Sequence, residues 1–296
     1  MTGNHHRNVT IVDACTHRGH GGSPTAVLID DHTLGDDARR AVVRDVGTSH
    51  AAFVDTEADT VRFFTTHSEL TNCGHGTIAA QAFLLHRRGT TKQQGRQRTG
   101  GRTFDTTAIQ RDDGIEVWFD QGIIDLQNTV SEDLDKILSA LGIEPAAIAA
   151  DDGPSVASPG TPRLLVPVKT APTLHSLRPD LPRLATECHR RGYLGCFVYT
   201  RSPVRDRAIA RMFAPAIGVG EDVVNANSTG CLAAHLYATH ARNSIEVEQG
   251  HAAGRPSLVR ATTTATTYGI STRIGGTAII RTGPAEPDTK KNAGRQ

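Results

Sequence analysis

The sequence predicts an α+β fold of two similar lobes, on three observations. Strand-like stretches are spread through both halves, and each half holds one long run of helix formers. The two runs also repeat: Gly76-Thr77-Ile78-Ala79-Ala80-Gln81-Ala82-Phe83 aligns position by position with Gly230-Cys231-Leu232-Ala233-Ala234-His235-Leu236-Tyr237. Each follows an Asn-containing polar turn, Asn72 in one case and Asn227 in the other. A chain of 296 residues has room for one large domain or two ordinary ones. The expected division is residues 1–125 around a central helix at 76–86, residues 126–285 around one at 230–240, and a polar tail over 286–296. Both helix starts would face one cleft.

In chain order, the β-branched run from Asn8 to Ala14 reads as an opening strand, and Thr25-Ala26-Val27-Leu28-Ile29 as a second, across a glycine-rich loop. Residues 34–46 carry apolar side chains at helical spacing and end at Gly47. Residues 51–54 and 60–65 read as a strand pair. The basic, Gly- and Gln-rich stretch 88–102 reads as a mobile hairpin loop or flap, because it lacks aromatics to stack on bases. Strands follow at 104–109 and 115–119. Ser131 caps a helix through Leu141, with Glu132, Asp133 and Asp135 in its first turn and Gly142 past its end. Residues 151–162 read as loop and 164–168 as a buried strand. A helix spans 180–191, stopped by Gly192, and strands follow at 196–200, 208–213, 244–249, 257–261 and 277–281.

Composition excludes several classes. The net charge is +1 and charged residues make up 21%, so no global field favours nucleic acid or anionic lipid. No apolar run reaches membrane-spanning length, and the start Met1-Thr2-Gly3-Asn4-His5-His6 lacks a signal-peptide core. A cytoplasmic protein is expected. The five cysteines, Cys15, Cys73, Cys188, Cys196 and Cys231, are odd in number and scattered, which argues against a disulfide framework. There is no His-Glu-x-x-His and no zinc-finger cysteine pairing, so no metal is expected.

The chemistry concentrates at Asn72-Cys73-Gly74-His75-Gly76-Thr77. A thiol, an imidazole and two glycines lie just before a helix. Glycines allow close approach of backbone to a ligand, and a helix start offers free N–H groups and a positive dipole end to an anion.

Ordered fragments across most of the chain resemble the PhzF-like members of the diaminopimelate-epimerase fold superfamily. They are Asp13-Ala14 with Gly22-Ser23-Pro24-Thr25-Ala26-Val27, Phe63-Phe64-Thr65 with Glu69, Cys73-Gly74-His75-Gly76-Thr77, and Arg163-Leu164-Leu165-Val166-Pro167. Later come Arg211-Met212-Phe213-Ala214-Pro215, Gly218-Val219-Gly220-Glu221-Asp222, Thr229-Gly230, and Gln249-Gly250 with Gly254-Arg255-Pro256-Ser257. The resemblance implies two pseudosymmetric lobes, each a curved, mostly antiparallel sheet wrapped on a central helix, with the active site between them. It also implies isomerase activity without metal or organic cofactor, a small carboxylate substrate, and a homodimer.

The departures from the family pattern are specific. Isomerases of the family carry a catalytic Glu in Ser-Glu-x-x-Phe, and this chain reads Ser49-His50-Ala51-Ala52-Phe53. The family's Glu-Asp-Pro-x-Thr-Gly-Ser becomes Glu221-Asp222, then Val223 to Ser228, then Thr229-Gly230-Cys231. Four extra residues would displace Asp222 from the cleft and put Asn225 or Asn227 in its place, with Cys231 at the family's serine.

His50, Asp222 and Cys231 are therefore the candidate catalytic residues. An imidazole takes and returns a proton near neutral pH, although a polar strand residue is the alternative for His50. Asp222 would be a proton donor or acceptor raised by burial, or else a loop carboxylate. Ser23, Cys73, Gly74, His75, Gly76, Asn227, Thr229 and Gly230 are the candidate substrate contacts, His75 alternatively only shaping its turn. Cys73 with Cys231 would suit a racemase using two thiols, each activated at a helix start. Three functions remain: a cofactor-independent isomerase shifting a proton and double bond (a 1,3-type shift), set in secondary metabolism; a thiol racemase or epimerase; and a catalytically idle binding protein.

Overall fold

The computed structural model describes residues 9–281 apart from 129, 130 and 205. The expected polar tail and the side chains of the expected Ser131 cap lie outside the described residues.

β1 (Thr10–Thr16) and β2 (Ser23–Ile29) pair antiparallel. Helix α1 (Asp36–Val46) carries the chain to β3 (His50–Asp55), parallel to β2. α1 ends where Gly47 adopts a left-handed conformation (φ 76°) and its N–H bonds the carbonyls of Val43 and Arg44. β4 (Thr60–Phe64) and the short β5 (Glu69–Leu70) precede helix α2 (Gly74–Arg88), and β6 (Lys92–Thr99), β7 (Arg102–Arg111) and β8 (Gly114–Ile123) form an antiparallel meander.

The second half continues with β9 (Asp125–Asn128), α3 (Ser131–Leu141), β10 (Ser155–Ser158), β11 (Arg163–Pro167), the short α4 (Ala171–Ser176) and α5 (Leu181–Arg191). β12 (Cys196–Arg201), β13 (Arg207–Ala214) and β14 (Val219–Asp222) lead to α6 (Ala226–His240). β15 (Ser244–Gln249), β16 (Ser257–Thr266) and β17 (Gly269–Ile280) complete the sheet.

Hydrogen bonding closes two circuits. One runs β1-β2-β3-β4-β6-β7-β8-β17 and back to β1, around α2. The other runs β9-β10-β11-β12-β13-β15-β16-β17 beside β8, around α6. β17 serves both: one edge carries β8, and the other carries β16 and then β1.

A helix enclosed by a barrel must be apolar and slender on all sides, not on one stripe. Every residue of α2 from Gly74 to Leu85 is buried, as is every residue of α6 from Ala226 to Leu236, and alanines keep both helices narrow. Strand alternation then sorts each strand's side chains. On β3, Ala52 and Val54 face α2, while Ala51 and Phe53 join the outer cluster with Val42 and Val43 of α1. His50 shares the inward parity.

Three expectations are corrected. Residues 88–102 are not a mobile flap: β6 pairs with β7 along its whole length and meets β4 through Thr60 and Arg98. Its inward residues are polar, so apolar alternation is missing. Gln97 is fully buried, accepting from Gln81 Nε2 (3.0 Å) and donating to Thr77 Oγ1 (3.1 Å). Residues 151–162 are not all loop, since β10 lies within them and pairs with β9 and β11. Both central helices start earlier than 76 and 230, at Gly74 and Ala226.

Candidate active site

Cys73 is the N-cap residue of α2, with extended backbone, and among the described residues no side chain caps this helix. His75 sits in the first turn. His50, first residue of β3, points inward and places Nδ1 3.0 Å from His75 Nε2 and 2.9 Å from Ser49 Oγ. Cys73 Sγ lies 3.5 Å from the same His75 nitrogen. The two rings meet edge to face with centroids 4.4 Å apart. All three side chains are buried.

Their surroundings push the two imidazoles apart in proton affinity. Burial and the neighbouring His75 hold His50 well below the ordinary histidine range. Burial alone would lower His75 too, but the Cys73 sulfur, the Asp222 carboxylate and a hydrogen bond to the Val224 backbone raise it to about 9. The two nitrogens, 3.0 Å apart, thus differ in proton affinity, with His75 holding its proton more tightly than His50. Asp222 is buried at the end of β14, and its carboxyl is raised by that burial, against the opposing pull of His75, Asn225 and the amides of Val223 and Val224.

The expected displacement of Asp222 does not occur. α6 begins at Ala226, so its first turn carries Asn227, Ser228 and Thr229. Asn225 becomes the N-cap, accepting from Ser228 N–H (3.0 Å) and donating through Nδ2 to Asp222 (3.1 Å).

Cys231 lies beyond the first turn of α6. Cys231 is fully buried among Met212, Phe197 and Leu232, and burial pushes its thiol up to about 11, against the pull of Arg163. It does not join the His50–Cys73–His75 cluster and packs in a different part of the core from Cys73. Thr229 and Gly230 are likewise spent on packing. Thr229 Oγ1 accepts from Gln249, and a Cβ on Gly230 would lie 1.8 Å from Gln121 Oε1.

The two helix starts touch. A Cβ on Gly74 would stand 2.8 Å from Ala226 Cβ and 2.9 Å from Asn227 Oδ1, so what approaches this glycine is the other helix. Gly76 is required by Phe63, 2.8 Å from its would-be Cβ. Asn227 Nδ2 donates to Asn72 Oδ1, joining the two repeated turns, while its carbonyl accepts from Gln121 Nε2 at 3.0 Å. Ser23 is fully buried, and its hydroxyl finds no partner among the described residues.

Sequence reasoning missed Gln121. Gln121 had a signal: it continues the inward parity of Ile115, Val117 and Phe119 on β8. Cys15 is buried beside Cys73 and Asp222 at a bulge in β1, with φ at 62°. Burial raises its thiol first, with further contributions from Cys73 and Asp222. A cavity of about 640 Å³ lies elsewhere, lined by Asp152, Lys169, Arg201 and Arg242. Beside the helix starts is a crevice of about 10 Å³ between Asn72, Gln121 and Asn227.

Two linked barrels around buried helices, with paired imidazoles where those helices meet, define a protein of the diaminopimelate-epimerase-like fold. The chain belongs to the family described as phenazine biosynthesis-like protein, whose model matches residues 12–283. An uncharacterized isomerase of Clostridium acetobutylicum is 29% identical, over 85% of this chain and 88% of that protein. The trans-2,3-dihydro-3-hydroxyanthranilate isomerase of Pseudomonas aeruginosa is also 29% identical, over 86% and 90%. In fold, the chain is similar to a PhzF-family protein of Bacillus anthracis, with a TM-score of 0.81 at 20% identity over 93% of this chain and 97% of that one. A P. aeruginosa protein described as a predicted epimerase gives 0.79 at 26% identity, with the same coverage. The curated relatives carry the name isomerase. No helix of the described residues is long and apolar enough to cross a membrane.

Proposed function

We propose that this protein is an isomerase that moves a proton and a double bond within a small, unsaturated, carboxylate-bearing metabolite, without a cofactor. The observation that carries the reading is the His50–His75 contact, 3.0 Å between nitrogens whose proton affinities are driven in opposite directions. A neutral imidazole beside an imidazolium supplies a base and an acid at one pH, the pattern expected of acid–base sites. Substrate entering between the two rings breaks their contact and frees the His50 Nδ1 lone pair, which takes the proton from an activated C–H and returns it at the far end of the conjugated system. His75 and the uncapped amides of α2 bind the carboxylate and hold the enolate-like charge that develops. Asp222 sustains the charge on His75. His50, His75 and Asp222 are all buried, so substrate entry requires the helix starts to part.

The named relative acts on a dihydro-hydroxyanthranilate, and a cyclic, partly unsaturated amino acid of that kind is the substrate class we assign, in a secondary-metabolite pathway. Incubating such acids with the protein in heavy water tests the reading. The expected product has a moved double bond and carries either solvent deuterium or the migrated substrate hydrogen. Binding with neither exchange nor product would leave a catalytically idle protein and overturn it.

A further inference from the structure

The family pattern has a carboxylate where this chain has His50. That exchange gathers three donors of a different kind: Cys73 Sγ, His75 Nε2 and His50 Nδ1. We propose that these three side chains form a binding site for a single thiophilic divalent cation of the zinc class, which competes with the proton chemistry for the same lone pairs. The inference rests on the geometry of the cluster and goes beyond the isomerase reading.

Three observations support it. First, the spacing fits. A tetrahedral zinc ion with bonds of about 2.05 Å to nitrogen and about 2.3 Å to sulfur requires N–N and N–S edges of about 3.4 and 3.6 Å. The His50–His75 edge is 3.0 Å, the Cys73–His75 edge 3.5 Å, and all three donors lie within 4.8 Å of one another. An ion replacing the shared proton needs the imidazoles to separate by a few tenths of an ångström and the Cys73–His50 edge, within 4.8 Å, to settle near the tetrahedral value. Second, the His75 ring is already oriented by a hydrogen bond to the Val224 backbone, the kind of support that fixes a ligating imidazole. Third, the cluster is buried among apolar groups, while exposed Ser49, bonded to His50, lies at its edge toward solvent. Two nitrogens and one thiolate select zinc-like ions over magnesium or calcium, which prefer oxygen. Ligand-spacing rules miss the site because His50 comes from β3, 25 residues before His75.

Titrating Co²⁺ into the chelator-treated full-length chain tests this. The expected result is one equivalent bound, with a sulfur-to-cobalt charge-transfer band in the near ultraviolet and strong tetrahedral bands in the visible, both erased by Zn²⁺. Cys73→Ser should abolish the sulfur band, and His50→Gln should weaken binding by about 10- to 100-fold, while Cys188→Ala leaves the spectrum unchanged. Circular dichroism establishes that each variant is folded. A weak octahedral spectrum without the sulfur band, or a spectrum unaltered in folded Cys73→Ser or His50→Gln, overturns the proposal. Hydrogen exchange by the metal-free protein reports on the isomerase reading alone, so the two can fail separately.

Discussion

The two central helices begin from similar sequence and end in different chemical states. At α6 the start is satisfied: Asn225 caps it, Gln121 bonds the Asn227 carbonyl, and Gln249 bonds Thr229. At α2 no side chain among the described residues caps the start, and an imidazole, a thiol and a neighbouring imidazole crowd there instead. Repetition preserved the helix and its barrel in both halves. Only one start lacks a side-chain cap, and Asn225, which caps the other, accounts for the difference.

The sharpest way to break this comparison is at the acceptor. His50→Ala should reduce turnover by about 10²- to 10⁴-fold, the usual worth of a positioned acid or base, with little change in melting temperature. Unchanged turnover would mean that α2 is no more reactive than α6. Where the helices meet, Gly74→Ala drives a methyl group against Ala226 and Asn227 and should cost about 1–3 kcal/mol in chemical denaturation. A neutral result would show that the two starts stand apart in solution.

A pH series sharpens the electrostatic side. Turnover should decline about tenfold per unit above pH 9, as His75 gives up its proton, and decline at acid pH only well below 6.5, as His50 gains one. Stability follows by linkage. The raised His75 contributes stability that is full below 6.5 and lost as pH rises through about 9, whereas His50, buried neutral, subtracts stability as pH falls below 6.5. Flat profiles for both would contradict the assignment.

The smallest effect is expected at the other thiol. Cys231→Ser places a hydroxyl in the α6 core and should cost about 1–3 kcal/mol of stability while leaving turnover per folded molecule intact. A loss of activity without a loss of stability would return Cys231 to the chemistry.

Most individual strands, both central helices and the segments Cys73-Gly74-His75 and Ser49-His50 were legible because they depend on local pattern: alternation, helix formers, and glycine beside polar turns. β6 was misread because its inward face is glutamine and threonine, which satisfy one another only once Gln81, Thr77 and Thr106 surround them. The fate of the residues after Asp222 was also beyond sequence. Asn225 opens α6 by accepting from Ser228 N–H and donating to the Asp222 carboxylate, contacts that no local pattern announces. By itself, then, the sequence determined two barrels and the residues available at the mouths of their helices. Tertiary structure decided which of those residues meet, because hydrogen bonds between segments far apart in the chain fix the distances on which proton affinities depend.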